Sequence, residues 1–497
     1  MADKEFRFPN GEDEFILRKH AEDTLTEDAL SFKEQMELHK AHVIMLSEQA
    51  IITGEELKML LLALCEIESE GPESIPRLPG LTDLYSNLEE YVIQKIGLEV
   101  GGKLHTGRSR NDMNLTIERM LIRRLILKLS TAVTTAMEAL LFAAEEHVET
   151  IMPAYTHHSQ HAQPTTLGHY MLWAFYNFKR DLERLEGSYD RTNICPMGGA
   201  AIVGTSFDLN RDRVAALLSF KKAIRHCGDA TSSMDFALEA ASNMCILTSN
   251  IGRLGESLLL WSMYEPSMVR LALKYCSYST IMPQKRNPVA VETLRISGDW
   301  AYATLSSMFN GCKAFTPGNG REPGFVISGC IQIAEKIIDT TYLFAGMVSS
   351  LEVDKARCRQ LAEEGFSSMT DLADLMVRDK GVSFSAAKKI VGKLVVTAVN
   401  SKVKCSDISP KMVDDAAMEI IKRTVGLSEA EINEVLDAEK NVNRRNTTGS
   451  PSFSQVRSMI VEGKEELFGI KNSWQQRENL LRDGSQKLNE LSNSYIV

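Results

Sequence analysis

The stretch NDMNLTIERMLIRRLILKLSTAVTTAMEALLFAAEEHVETIM, residues 111–152, contains neither glycine nor proline. Leu, Ala, Arg and Glu dominate it, and strong helix formers without a breaker predict one long helix. At 1.5 Å per residue that helix would span roughly 60 Å. Asn111 or Asp112 is suited to cap its start, and Pro153 is expected to close it.

Working outward, further helices are expected over Gly168 to Leu185, Ser232 to Asn250, Pro288 to Phe309 and Ile331 to Ala345. Several carry apolar residues on more than one face, as in ASNMCILTSNIGRLGESLLLWSM, which marks helices buried in a bundle or an oligomer interface. No alternating strand of useful length is evident, so the predicted fold class is all-α with a central long-helix bundle. Domain boundaries are expected near 112 and 363, giving units 1–112, 113–363 and 364–497. The polar stretch from about Ile470 reads as a loosely held extension.

Composition narrows the function classes. The chain has 497 residues, a formal net charge of -10 and no dominant basic patch, which argues against nucleic acid as a partner. Nine cysteines are scattered singly without a CxxC pair, against both a disulfide framework and a zinc site. The polar start MADKEFRFPNGEDEF lacks the apolar core of a signal peptide, and no apolar run approaches a membrane span. A cytoplasmic protein with no membrane association is expected.

The unusual chemistry lies in loops between the helices. YSTIMPQKRNP (278–288) sets Ser279, Thr280, Lys285 and Asn287 between two prolines. A cation and an amide suit a carboxylate, leaving a hydroxyl free to act on a neighbouring carbon; on composition alone, a solvated turn is an equally simple reading. KLHTGRSRND (103–112) places Ser109, Arg110 and Asn111 at a helix start, where backbone N–H groups favour anions, or alternatively forms an ordinary cap with solvated arginines. PAYTHHSQHAQPTT (153–166) is histidine-rich without interleaved acidic or cysteine ligands, so acid–base work by one histidine is favoured over a metal. CPMGGAAIVGTS (195–206) lacks the lysine and the strand-turn-helix setting of a phosphate loop. It is expected to allow close backbone approach, with no cofactor.

Taken together, these loops resemble the signature regions of the fumarase/aspartase superfamily, and within it argininosuccinate lyase. GGKLHTGRSRND matches the first region, MPAYTH with AQP the second and MPQKRNP the third. CPMGGAAIVGTSF, MTDLADLMVRDKGVSFSAAKKIVGK (369–393) and LDAEKNVNRRNTTGSP (436–451) extend the resemblance over nearly the whole chain.

The resemblance implies a three-domain homotetramer whose active sites each draw the three regions from three subunits, without metal or organic cofactor. It implies anti β-elimination releasing fumarate from an N-substituted aspartate. Ser279 would be the base, Thr156 and His157 the pair that orients a carboxylate and assists proton transfer, and Ser109, Arg110, Asn111, Thr280, Lys285 and Asn287 the substrate-binding set. The second region carries one extra residue. Aligned from its left the pair is Thr156 and His157, which is favoured; aligned from its right it is His157 and His158.

Three departures stand out. Tyr278 replaces the glycine that normally opens the third region. FTPGNGREPGF (315–325) stands where the family has a polar Tyr/Asp/Gln/Lys run, leaving Pro317, Gly318, Gly320, Arg321 and Pro323. Gln35 and His39 stand in an N-terminal Asp-x-x-x-Ser element. The fumarate half of the site is thus expected to be intact and the leaving-group half altered, as in an ethylenediamine-disuccinate lyase. Argininosuccinate lyase proper and an adenylosuccinate lyase are alternatives, although Gln284 occupies a position that is usually His in the latter. A catalytically silent, crystallin-like structural protein is the alternative from another class; retention of Ser279, His157, Lys285 and Asn287 argues against it.

Overall fold

The long breaker-free stretch forms a helix in the computed structural model, which describes residues 14–78, 81, 83–157, 160–313 and 322–497, with side chains from 30 and from 324 in the helices that begin at 14 and 322. In chain order, α1 (Glu14–Glu48), α2 (Gly54–Glu70) and α3 (Leu84–Ile96) precede the long helix α4 (Arg110–Glu146). After α4 come α5 (Leu167–Thr192), α6 (Asp235–Trp261), α7 (Val289–Cys312) and α8 (Glu322–Ser349). Beyond these, α9 (Met369–Lys380), α10 (Phe384–Asn400), α11 (Pro410–Ile421) and α12 (Glu429–Leu436) form a compact unit, and α13 (Phe453–Ile496) closes the chain.

α4 begins earlier and stops sooner than expected. Its cap is Ser109, whose hydroxyl accepts from the Asn111 N–H while Asp112 reaches back to the Ser109 N–H. This reciprocal capping satisfies two otherwise orphaned donors. Pro153 does not end the helix. α4 stops at Glu146, and Pro153 lies inside a strand, β1 (Ile151–Thr156), paired antiparallel with β2 (Gln160–Thr166). The expectation of no useful strand fails here because the hairpin does not alternate and carries Pro153 opposite Pro164. Proline is tolerated where a strand's N–H faces away from its partner.

α4 is the spine of a bundle in which α5, α6, α7 and α8 run up and down. Ile122, Leu129, Val133, Ala136, Met137 and Leu140 along α4 are each fully or almost fully buried with Phe175 and Phe178 of α5 and Phe344 of α8. Among the described residues α4 is the one helix long and apolar enough to cross a membrane, and 72% of its most apolar window is buried in this core. Two of the four arginines on this helix, Arg119 and Arg123, lie deep in the protein. Arg119 donates to the carbonyls of Arg191 and Thr192, at the electronegative C-terminal end of α5, and burial pulls its guanidinium down to about 10.

The three larger apolar clusters map the architecture. One joins α1, α2 and α3 to the start of α4 and the 195–220 segment, a second fills the bundle, and a third holds α9 to α12. The expected loose extension from about Ile470 does not exist. It is part of α13, which leaves the 369–436 unit and runs antiparallel along α4. Arg457, Lys464 and Lys471 pair with Glu149, Glu145 and Glu138 in turn. Such exposed pairs contribute little energy individually, but their order marks the antiparallel register. A Cβ on Gly463 would meet Leu141 and Phe175 at 3.1–3.2 Å, so glycine here lets α13 approach closely. Trp474 is buried in the bundle core and Leu488 in the N-terminal cluster. α13 thus spans the molecule, about 65 Å at 1.5 Å per residue.

Candidate active site

The first signature loop is built by its cap. Asp112 is buried, and its second carboxylate oxygen accepts from the backbone N–H of Gly198 at 2.8 Å and of Ala200 at 3.0 Å. Burial makes the carboxyl a weaker acid, its pKa raised above the usual carboxylate value, and the N–H groups of Ser109, Ala200 and Gly198 oppose that rise. The glycine motif 195–206 therefore serves the close approach read from its sequence: Gly198 has φ +85, and a Cβ there would strike Arg211. Asn111 donates to the Ala201 carbonyl at 2.9 Å, and exposed Arg110 pairs with Asp83.

Behind this loop sits a polar cluster of which the sequence reading singled out only His39. Arg108 is buried, donates to His39 Nδ1 at 3.1 Å and stacks over the Tyr85 ring. The Tyr85 hydroxyl meets His105 Nδ1 at 2.6 Å, and His42 Nε2 donates to the Thr106 carbonyl at 2.9 Å. Burial, reinforced by Arg108, holds His39 and His42 well below the usual imidazole range and takes His105 to about 4. His39 Nδ1, being unprotonated, is the acceptor in its bond to Arg108. The available signal was the His105/Arg108 pair in the loop, but Tyr85 lies about twenty residues away in α3 and His39 more than sixty away in α1.

The second region is the hairpin. Thr156 pairs with Gln160, and His157 takes φ +44 in the exposed turn. A non-glycine residue in the left-handed region is a strained position of the kind found at functional turns. Ala154 faces both Ala162 and Gln163, a bulge that places the additional residue on the second strand. His158 lies outside the described residues.

The third region is a second hairpin, β3 (Ser277–Tyr278) against β4 (Arg286–Asn287), between α6 and α7. Its turn projects outward, with Tyr278 and Ile281 each 83% exposed and Thr280 and Lys285 also exposed. Ser279 is half-buried, its Oγ accepts from the Met282 N–H at 3.1 Å, and Asn287 donates to the Ser277 hydroxyl at 3.4 Å. A donor aimed at the serine oxygen favours its deprotonated form.

Within one chain these regions do not form one site. Ser109 caps the start of a 37-residue helix, and Thr156 stands beyond its far end. The helix alone covers about 55 Å, and a six-residue strand folded straight back would recover only about 20 Å. The third region belongs to the hairpin's end. Trp261 at the end of α6 packs on Tyr170 at 4.7 Å between ring centroids, and Met268 sulfur touches the Tyr155 hydroxyl. The Gly/Pro-rich loop, from 315 to 321, and the side chain of Pro323 lie outside the described residues. No group of three His, Cys, Asp or Glu side chains able to hold a metal occurs among the described residues.

A bundle of long antiparallel helices with polar loops at both ends is the architecture of the fumarase/aspartase superfamily. A class II fumarase from Schistosoma mansoni shares this fold at a TM-score of 0.67 and 16% identity, over 82% of this chain and 90% of that one. The chain belongs to the argininosuccinate lyase family. It is 33% identical over 441 residues to argininosuccinate lyase of Methanosphaera stadtmanae, covering 89% of this chain and 94% of that one. To the Methanocaldococcus jannaschii enzyme it is 34% identical over 427 residues, covering 86% and 87%. Family models described as lyase and as argininosuccinate lyase C-terminal match residues 52–298 and 366–443. Among solved structures, an EDDS lyase variant with bound fumarate matches at a TM-score of 0.88 and 31% identity, over 94% of this chain and 92% of that one. The chain is accordingly a carbon–nitrogen lyase that releases fumarate.

Proposed function

We propose that the chain cleaves an N-substituted L-aspartate by anti β-elimination in sites shared between the subunits of a cytoplasmic homotetramer. The observation that carries the assembly is the placement of the signature loops. Ser109, Arg110 and Asn111 stand at one end of the bundle, while Thr156, His157 and Ser279 stand at the other. Exposed Ile296, Tyr302 and Phe309 along α7 supply apolar surface for subunit packing.

Ser279 removes the Cβ proton, producing a dianionic aci-carboxylate whose stabilisation dominates the barrier. Its hydrogen bond from Met282 supports the serine as base. Lys285, Asn287 and Thr280 hold one carboxylate, and Ser109, Arg110 and Asn111 hold the other. Thr156 and His157 orient a carboxylate and assist proton transfer as the C–N bond breaks. The bulge on β2 supports this pair, because the extra residue falls after them. The binding set needs neither a metal nor an organic cofactor.

For the leaving amine we favour an arm bearing a further carboxylate, as in ethylenediamine-disuccinate. Gln35 donates to Ser31, and His39 is a neutral imidazole against Arg108, so neither offers the negative charge a guanidinium requires. The similarity to named argininosuccinate lyases favours argininosuccinate as the second reading. Comparing kcat/KM for the two compounds by fumarate release decides between them. A clear preference for argininosuccinate refutes the first.

A further inference from the structure

α1 is held on two sides. From one side the last turns of α13 reach it: Ser485 Oγ donates to Glu37 at 2.5 Å, and Lys40 Nζ donates to Asn489 Oδ1 at 3.0 Å while pairing with Glu68. The Lys40 side chain is only 2% exposed. From the other side α1 grips the first signature loop through the residues flanking Lys40. His39 accepts from Arg108, and His42 donates to the Thr106 carbonyl. Arg108 immediately precedes Ser109.

We propose that Asn489 and Lys40 are positioning residues for substrate binding. Through them the C-terminal helix sets where the 105–112 loop stands. The physical case begins with the buried ammonium, which needs acceptors that water cannot supply. Asn489 and Glu68 are the acceptors described for it. Without Asn489, the Lys40 head is left to Glu68 alone, moves toward it and draws α1 with it. α1 is one helix from Glu14 to Glu48, so a shift at Lys40 is passed to His39 and His42 one and two residues away. From there it reaches the loop through two hydrogen bonds. Binding groups displaced by about 1 Å can cost up to two orders of magnitude in rate. Asn489 touches no reacting atom, and its influence runs entirely through α1.

This inference rests on the reading of Ser109, Arg110 and Asn111 as a carboxylate-binding set, and the test separates the two. Asn489→Ala, Asn489→Asp, Lys40→Met and Asn111→Ala are compared with the parent tetramer for KM and kcat in fumarate release. Asn489→Ala is expected to raise KM about fivefold or more with kcat within about twofold, since it shifts binding groups without touching the base. Asn489→Asp, which still accepts from Lys40, is expected to keep the parent KM. Lys40→Met, which fills the same space without a tether to Asn489, is expected to raise KM as Asn489→Ala does. A parent-like KM in Asn489→Ala, or equal damage in Asn489→Asp, overturns the brace. If instead Asn111→Ala also leaves KM unchanged, the reading of the loop as substrate-binding falls.

Discussion

Two disabled versions of this chain should restore each other. Asn111→Ala damages the loop at one end of α4, and Ser279→Ala removes the base at the other. The rise of the helix less the return of the strand leaves roughly 35 Å between the first and second regions of one chain, and the third lies with the second. A substrate of aspartate size cannot touch both ends, so a working site must borrow from a neighbour. Co-expressing the variants with two different tags and purifying the doubly tagged tetramers gives chains mixed at random. Each site then has a chance of about one quarter of drawing both loops intact from different subunits, provided the tetramer is closed and symmetric. Fumarate release by the hybrids should therefore reach about a quarter of the parent rate, against near-zero for each variant alone. Doubly tagged tetramers without activity would show that each chain supplies both loops to its own site, and would refute the shared-site reasoning.

Two further outcomes follow from the first loop. Asp112→Ala strands three backbone N–H groups, those of Ser109, Gly198 and Ala200. At about 1–3 kcal/mol for each unsatisfied buried donor, the loss is roughly 3–9 kcal/mol, visible as a lower Tm and a raised KM; a parent-like Tm would contradict the role given to Asp112. Acid should destabilise the fold through the α1 cluster, since folded His39 and His42 refuse the proton that the unfolded chain takes up below the ordinary imidazole value of 6.5, and His105 refuses it down to about 4. The unfolded state then binds more protons, so stability falls as pH drops below 6.5, by up to about 1.4 kcal/mol per pH unit for each fully buried imidazole. Melting curves at pH 7.5 and 5 test the sign, and an unchanged or higher Tm at pH 5 would overturn it.

The long helices were legible because their apolar residues come without breakers, and the loops of the proposed site because Ser, Arg, Asn and Lys are concentrated between glycines and prolines. What escaped the sequence was long-range. The cap moved to Ser109 because Asp112 spends its carboxylate on the N-cap and on the 195–206 segment, a partner nearly ninety residues away. The 151–166 hairpin was hidden by Pro153 and Pro164. The stretch from about Ile470 read as a polar extension because its polar residues are spent on other helices: Lys471 and Arg477 look solvated until Glu138 of α4 and Glu186 of α5 are placed opposite them. Likewise His39 and His42 acquire meaning only when α1 is laid against Arg108 and Thr106.

The central claim is elimination by a serine base on the exposed 279–285 turn, and the most direct measurement of it is fumarate release by Ser279→Ala. With the tetramer confirmed by light scattering, the account predicts a rate several orders of magnitude below the parent on the preferred N-substituted aspartate. Retention of more than about a tenth of the parent rate would contradict it, because loss of a catalytic base costs far more than one factor of ten.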